Sequence, residues 1–310
     1  MNEFDLIARL TRDLPTNASV VAGPGDDCAL IDLGLPDQLL VLKTDAVVAG
    51  FHFTEETPPE KIGRKALARV LSDFAAAAAT PTAALITLAL PTDHDVAWVD
   101  GVYTGLRELA QRWNIAIVGG ETTTCPERAL ISIAVVGTVP KHRIIRRSGA
   151  KPGDALFVTG ELGGSIDGHH LDFEPRLAEA RWLADHASIH AMIDLSDGLA
   201  GDLRHVLTAS GTGAELFTDS IPISRAAKTR GRRGDVAKPA LLAALTDGED
   251  FELLFAVPSA EAVPVLDGWR ATFPAVRLTC IGRVATQPGL RLRDRNGIRE
   301  APAHGYVHFA

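Results

Sequence analysis

Apolar positions along this chain fall into two rhythms. "QLLVLKTDAVV" (38–48) reads as a strand, whereas "EKIGRKALARVLSDFAAAA" puts Leu67, Val70, Leu71 and Phe74 on one helical stripe, with Asp73 at its small-residue edge. A second helix is expected over "DVAWVDGVYTGLRELAQRW", where Val99, Val102, Leu106, Leu109 and Trp113 recur on spacing. Between them, Phe74 to Thr92 carries no charge over 19 residues. That stretch contains Pro81 and continues a helix whose other face is charged, so it predicts a buried helix end, a turn and the strand "AALITLAL", not a membrane span. "IAIV" is a strand running into Gly119-Gly120-Glu121, and "ALISIAVVGTVP" is another. Gly, Pro and charge then cluster at "RSGAKPGD" (147–154), which sets a boundary between an N-terminal domain, 1–146, and a C-terminal domain, 147–310. The second half reads as the strand "ALFVTG", a Gly-rich turn "GELGGS" and a helix near Arg176 to His186. "AMIDLSDGLAGDLRHVL" follows as strand, turn and helix, capped near Ser196 or Asp197, and "GEDFELLFAV" as turn and strand. "SRAAKTRGRRGDVAK", with six Lys or Arg from Arg225 to Lys238, reads as a solvated, mobile loop, with an anion-catching flap as the alternative. Strands alternate with helices in both halves, so the fold class is α/β with two domains of mixed sheets flanked by helices.

Composition narrows the function. A chain of 310 residues with 46% apolar content is globular and can bury two sizeable cores. Its net charge of −8 argues against nucleic acid as the main partner, although phosphate ligands remain open if metal cations bridge the like charges. Cys28, Cys125 and Cys280 are far apart and form no CxxC pair or disulfide framework. "MNEFDLIARL" opens acidic and amphipathic, not as a signal peptide, so a cytoplasmic protein without a membrane partner is expected.

The candidate chemistry lies in carboxylates at strand ends and in Gly turns: Asp26-Asp27, Asp45, Glu121, Asp194 with Asp197, and Glu249-Asp250, with Asp73 on a helix. Aspartate favours turns and N-caps, so no single position carries the reading. The recurrence does, because carboxylates where strands stop converge on one sheet edge and need cations or raised pKa values there. Hard oxygen ligands without His or Cys neighbours suit Mg²⁺ better than zinc. No Walker A string, kinase HRD or DFG set, or HExxH pattern occurs, and the adjacent histidines of "GHHLDF" do not face one ion well.

"GPGDDCAL", "KTDAVVAGFHF", "ALARVLSDFAAAAATP", "GGETT", "RSGAKPGDALFVTG", "MIDLSDGLAGDL" and "GEDFELLF" occur in this order. Together they closely resemble the thiamine-monophosphate kinase family of the aminoimidazole-ribonucleotide-synthetase-like fold, from about residue 3 to the C-terminus. The resemblance implies ATP-dependent phosphorylation of thiamine phosphate to thiamine diphosphate, assisted by several Mg²⁺ ions, in a homodimer whose N-terminal sheets join. It implies metal ligation by Asp27, Thr44, Asp45, Asp73, Asp194 and Asp197. Glu121, at a position that is usually aspartate, would serve metal and nucleotide. Gly120, Arg147 and Ser196 match nucleotide contacts, and His52, Glu249 and Tyr306 match contacts to thiamine phosphate. No general base is expected. Asp26 is expected to hold the Gly-Pro-Gly turn by hydrogen bonds, with support of the metal ligands from behind as the alternative. The chain departs from the family pattern at Glu121, at Lys43 (commonly a small polar residue), at Asp247 (commonly glycine) and in a shortened segment after Ser165. The alternatives are another ATP-dependent synthetase or maturation enzyme of the same superfamily, or a non-catalytic nucleotide-binding protein.

Overall fold

In the computed structural model, which describes residues 3–232, 238–302 and 305–306, the chain starts with helix α1 (Glu3–Thr11). Strands β1 (Val20–Ala22) and β2 (Ala29–Ile31) bracket the Gly-Pro-Gly-Asp-Asp turn. Then come β3 (Gln38–Val48), α2 (Pro59–Ala76), β4 (Thr80–Leu90), α3 (Val96–Arg112), β5 (Ala116–Thr124) and β6 (Leu130–Pro140). These strands form one sheet in the order β1-β2-β3-β6-β4-β5, in which β4 and β5 are the parallel pair. Every second residue of β6 from Ile131 to Val139 is buried, the period a sheet covered on one face imposes. The cover is α2, whose Leu67, Val70, Leu71 and Phe74 are buried. The uncharged stretch 74–92 is the end of α2, a turn and β4, and no helix among the described residues is long and apolar enough to cross a membrane.

The second half runs β7 (Ala155–Thr159), α4 (His169–Asp172), α5 (Leu177–His186), β8 (Ala191–Asp194), α6 (Leu199–Ser210) and β9 (Gly213–Phe217). It continues with α7 (Arg225–Arg232), α8 (Ala240–Thr246), β10 (Leu253–Val257), α9 (Ala262–Thr272), β11 (Leu278–Ala285), β12 (Gly289–Asp294) and β13 (Gly297–Glu300). The sheet order is β13-β12-β9-β11-β7-β10-β8. β7, β8 and β10 are buried at every position, so both faces of this sheet are covered and the strands read as unbroken apolar runs. On one face Leu156, Val158, Ile193 and Leu254 pack with Leu203 and Val206 of α6. On the other, Phe157, Met192 and Phe255 belong to the same core as Leu71 and Phe74 of α2. Helix α2 therefore packs on both sheets, and what it carries stands between them.

Two local expectations are corrected. Helix α6 is capped neither by Ser196 nor by Asp197: the N-cap is Gly198, at φ 98°, and the Asp202 carboxylate accepts the Asp197 N–H at 3.0 Å. Glycine makes the sharp entry there, and a carboxylate in the first helical turn does the work of a cap. The basic segment is not a loop from its start. Residues 225–232 form α7, which suits a run of Ala, Lys and Arg, and Ser224 Oγ accepts the Ala227 N–H at 3.0 Å where the helix begins. The rest of that expectation, residues 233–237, lies outside the described residues.

Candidate active site

Three carboxylates meet where the two sheets approach α2. Asp27 comes from the turn after β1, Asp73 from the last turns of α2 and Asp194 from the end of β8, with one oxygen from each lying within 4.8 Å of the others. All three are buried. Each is held by its own donor. Arg147 Nε and Nη2 reach Asp27 Oδ1 at 2.9 and 2.6 Å, Lys43 Nζ reaches Asp73 Oδ1 at 2.7 Å, and Ser72 Oγ donates to Asp194 Oδ2 at 2.6 Å. Burial is the main cause that raises all three carboxyls. Asp27 is pushed up to about 6, with Asp194 adding to the rise and Arg147 opposing it. Asp73 is pushed well above the usual carboxylate range against the pull of Lys43, and Asp194 is raised too. Three hard oxygens without a His or Cys among them fit Mg²⁺, a cation that would favour the charged carboxylates which burial disfavours.

Two cavities flank this group. The first, about 580 Å³, is lined by Lys43, Asp45, Asp73, Arg147 and Asp194, among others. The second, about 240 Å³, is lined by Phe51, His52, Asp247, Glu249 and Tyr306. Arg69, Ser196 and Asp197 line both, so the cavities adjoin.

The second cavity is pinned from below by Lys65, a fully buried lysine of α2. Its Nζ donates to His52 O at 2.7 Å and to Glu249 Oε2 at 2.7 Å, and lies 2.8 Å from His170 Nδ1. One ammonium thus ties the His52 loop, α4 and the 247–250 turn together. Burial lowers Lys65 to about 8, against the opposing charge of Glu249. Burial also works to raise Glu249, yet the His170 hydrogen bond and the charges of Lys65 and Arg69 prevail and hold it at about 2. Glu249 keeps an unfavourable left-handed backbone, φ 64°, and Phe251 another, φ 50°, a strain that the surrounding contacts must over-determine. The adjacent acid has a different role. Asp250 accepts the Gly163 N–H at 2.9 Å and the Ser165 hydroxyl, while Asp247 accepts the Gly164 N–H at 3.0 Å and pairs with Lys238 at 3.0 Å. Both aspartates fix the Gly-rich turn 160–165.

The expected site residues are placed unevenly. Asp27, Asp73 and Asp194 form the group, and Asp45 lines the same cavity, where it receives Arg69 Nε at 3.1 Å. Ser196 and Asp197 stand at the junction of the cavities, and His52, Glu249 and Tyr306 line the second one. Arg147 lines the first cavity and is engaged with Asp27. Thr44 and Glu121 are not brought to the carboxylates. Strand alternation turns Thr44 away from Asp45 to the open face of the sheet, where its Oγ1 lies 3.4 Å from Ser132 Oγ. Glu121 is exposed on edge strand β5, with Oε1 accepting the Thr122 N–H at 3.1 Å. Gly120 has a packing reason of its own, since a Cβ there would lie 1.7 Å from Ile86 O on β4. Asp26 does not bond the Gly-Pro-Gly turn but stands behind Arg147, the residue that holds Asp27, as the alternative reading has it. It accepts Arg146 Nε at 2.8 Å and the Arg147 N–H at 3.0 Å, because the segment joining the halves runs beside it with an N–H that needs an acceptor. Sequence reasoning missed Lys65, Arg69 and His170. A signal was present: Lys65, Arg69 and Asp73 are four residues apart on one helix and so share a face.

Comparison with known proteins adds three kinds of likeness. Residues 25–139 match the family model for AIR synthase related protein, N-terminal domain. The thiamine-monophosphate kinase of Rhodopirellula baltica is 41% identical over 307 residues, covering 96% of this chain and 93% of that one. A solved structure of AaThiL complexed with AMPPCP and TMP superposes with a TM-score of 0.82 at 29% identity, covering 99% of this chain and 97% of that one. The crystal structure of thiamine-monophosphate kinase from Stenotrophomonas maltophilia K279a gives a TM-score of 0.73 at 31% identity, covering 93% and 94%.

Proposed function

We propose a working site and mechanism from the premise that this chain belongs to the thiamine-monophosphate kinase family and is therefore an ATP-using phosphotransferase. The carboxylate-lined cavity takes the phosphates of ATP, and the cavity of His52, Glu249 and Tyr306 takes thiamine phosphate. The acceptor phosphate then meets the γ-phosphate at the junction of Arg69, Ser196 and Asp197. The observation that carries this reading is the adjoining of the two cavities beside three converging carboxylates. A relative's complex with AMPPCP and TMP supports the pairing of ligands.

The acceptor is a phosphate monoester with a second pKa of about 6, so near neutral pH it is mostly a dianion and already a nucleophile. Catalysis then consists of aligning two anions in line and neutralising their charge. Asp27, Asp73 and Asp194 would hold Mg²⁺, which supplies positive charge at the phosphates when bound. The chain's own residues position the acceptor. Glu249, ionised throughout the physiological range, suits the positively charged thiazolium, and the aromatic side chains of Phe51 and Tyr306 line the same cavity. Lys65 keeps Glu249 and the His52 loop in register.

The homodimer and the cytoplasmic setting belong to the same proposal. On the open face of the first sheet, Leu42, Leu85 and Val118 are 41%, 48% and 61% exposed, an apolar surface that suits burial against a second copy. Thr44 and Glu121 lie on this sheet outside the carboxylate group, so their expected metal roles depend on what docks there. The test of function is to incubate the pure protein with thiamine phosphate, ATP and Mg²⁺ and follow ADP and thiamine diphosphate. Stoichiometric formation of both is expected. No turnover by folded protein, with turnover instead on another acceptor of this superfamily, would overturn the reading.

A further inference from the structure

Among the described residues three line both cavities, and of these Arg69 is the cation; Arg230 and Lys238 line the second cavity alone. Asp197 repels an anion, and the Ser196 hydroxyl offers a neutral hydrogen bond. Arg69 is the remaining residue that lines both spaces. Its side chain is 13% exposed and sits within reach of both half-sites. Nε and Nη2 face Asp45 at 3.1 and 3.5 Å, Nη1 faces Glu249 Oε1 at 3.1 Å, and the guanidinium lies 5.8 Å from the Phe251 ring centroid. A guanidinium carries five N–H donors in a rigid fork. The contacts to Asp45 and Glu249 use three of them, leaving donors for a planar or tetrahedral anion at the junction.

We propose that Arg69 is the residue that reads the phosphate of the acceptor, so that the second cavity distinguishes thiamine phosphate from thiamine. This rests on the assignment of thiamine phosphate to that cavity. A dianion entering between Asp197 and the carboxylate group needs a counter-charge there, and the fork of Arg69 supplies one that is already oriented by Asp45 on one side and Glu249 on the other. The same side chain then touches the ligand's two ends indirectly and directly: it helps fix Glu249 beside the heterocycles and donates to the phosphate itself.

The experiment is calorimetric titration of wild type and Arg69→Met with thiamine and, separately, with thiamine phosphate. Wild type should prefer the phosphorylated ligand. Arg69→Met should lose about tenfold or more of that preference, the value of one charge-assisted contact, whatever its loss of Glu249's support costs both ligands alike. The preference is a ratio within each protein, so general damage to the cavity cancels from it. An unchanged ratio, or equal loss of both ligands, would overturn the role of Arg69. Wild type binding the two ligands equally would overturn it alone, whereas wild type binding neither would overturn the assignment of the cavity as well. If circular dichroism shows that Arg69→Met does not fold, Arg69→Gln, which still donates to one carboxylate, is judged by the same ratio.

Discussion

Replacing Asp194 by Asn should raise the stability of the metal-free protein while removing its activity. Asp194 is buried beside Asp27 and Asp73, with oxygens within 4.8 Å of theirs. At that separation and an effective dielectric constant near 20, each like-charge pair costs about 3.5 kcal/mol. The substitution deletes the repulsion from ionised Asp27 and, to the extent that Asp73 has lost its proton, that from Asp73. It also deletes attractions to Lys43 and Arg147, which offset much of them, and it lifts the burial penalty on the charge itself. The net gain is of order 1–3 kcal/mol, or a few degrees in Tm. Asparagine keeps an oxygen to accept the Ser72 hydroxyl, and its new amide donors stand beside the Asp27 and Asp73 carboxyls, which can accept them. The pH dependence follows from the raised carboxyls. Asp27 binds its proton up to about 6 in the folded protein but only to about 3.8 when unfolded, so stability of the metal-free wild type falls as pH rises across that interval. The advantage of Asp194→Asn should therefore appear near neutral pH and fade in acid, where the wild-type carboxyls are neutral. The assay is thermal melting in chelator and in excess Mg²⁺. Wild type should be stabilised by Mg²⁺ and the variant much less. A variant that melts below wild type in chelator at neutral pH, or an equal Mg²⁺ shift for both proteins, would refute the reasoning.

Two further outcomes are expected. Lys65→Met removes the ammonium shared by His52 O, His170 and Glu249 while leaving Glu249 its pairing with Arg69, and should cost about 1.5–3 kcal/mol in urea unfolding, with no comparable loss for a lysine on the surface such as Lys61. Glu249 is held at about 2 against an ordinary 4.5, so its ion pairs contribute fully above pH 4.5 and are lost as pH falls toward 2. The stability difference between wild type and Glu249→Gln should shrink across that acid window, and a constant difference would show that the carboxylate is not the stabilised form.

The helical stripe of α2 and the long strands β3 and β6 could be read directly, because burial on one face leaves a period in the sequence. The convergence of Asp27, Asp73 and Asp194 was legible in part for a related reason, since acids where apolar strands stop have few places to point, but Glu121 and Asp250 from the same pattern point elsewhere. Ordered motifs then identified the family. The caps and turns were less legible. Gly198 and Asp202 shape the entry to α6 together, and a carboxylate acting on a backbone N–H five residues earlier leaves no local pattern that competes with a Ser or Asp cap.

What the sequence determined by itself was the set of elements and the kinds of group available: hard carboxylate oxygens, one arginine beside "SGAKPGD", and no P-loop or base. Only the tertiary structure decided which groups meet. Asp27 and Asp194 are joined to Asp73 across 46 and 121 positions of the chain because α2 packs on both sheets, a relation that no local rhythm encodes. The same packing separates neighbours. Thr44 and Asp45 are adjacent in the chain and face opposite sides of one strand, while Glu249 enters a cavity and Asp250 turns inward to hold a glycine turn. Strand alternation and long-range closure, acting on groups whose charge must be compensated wherever they are buried, chose the site from a longer roll of candidates.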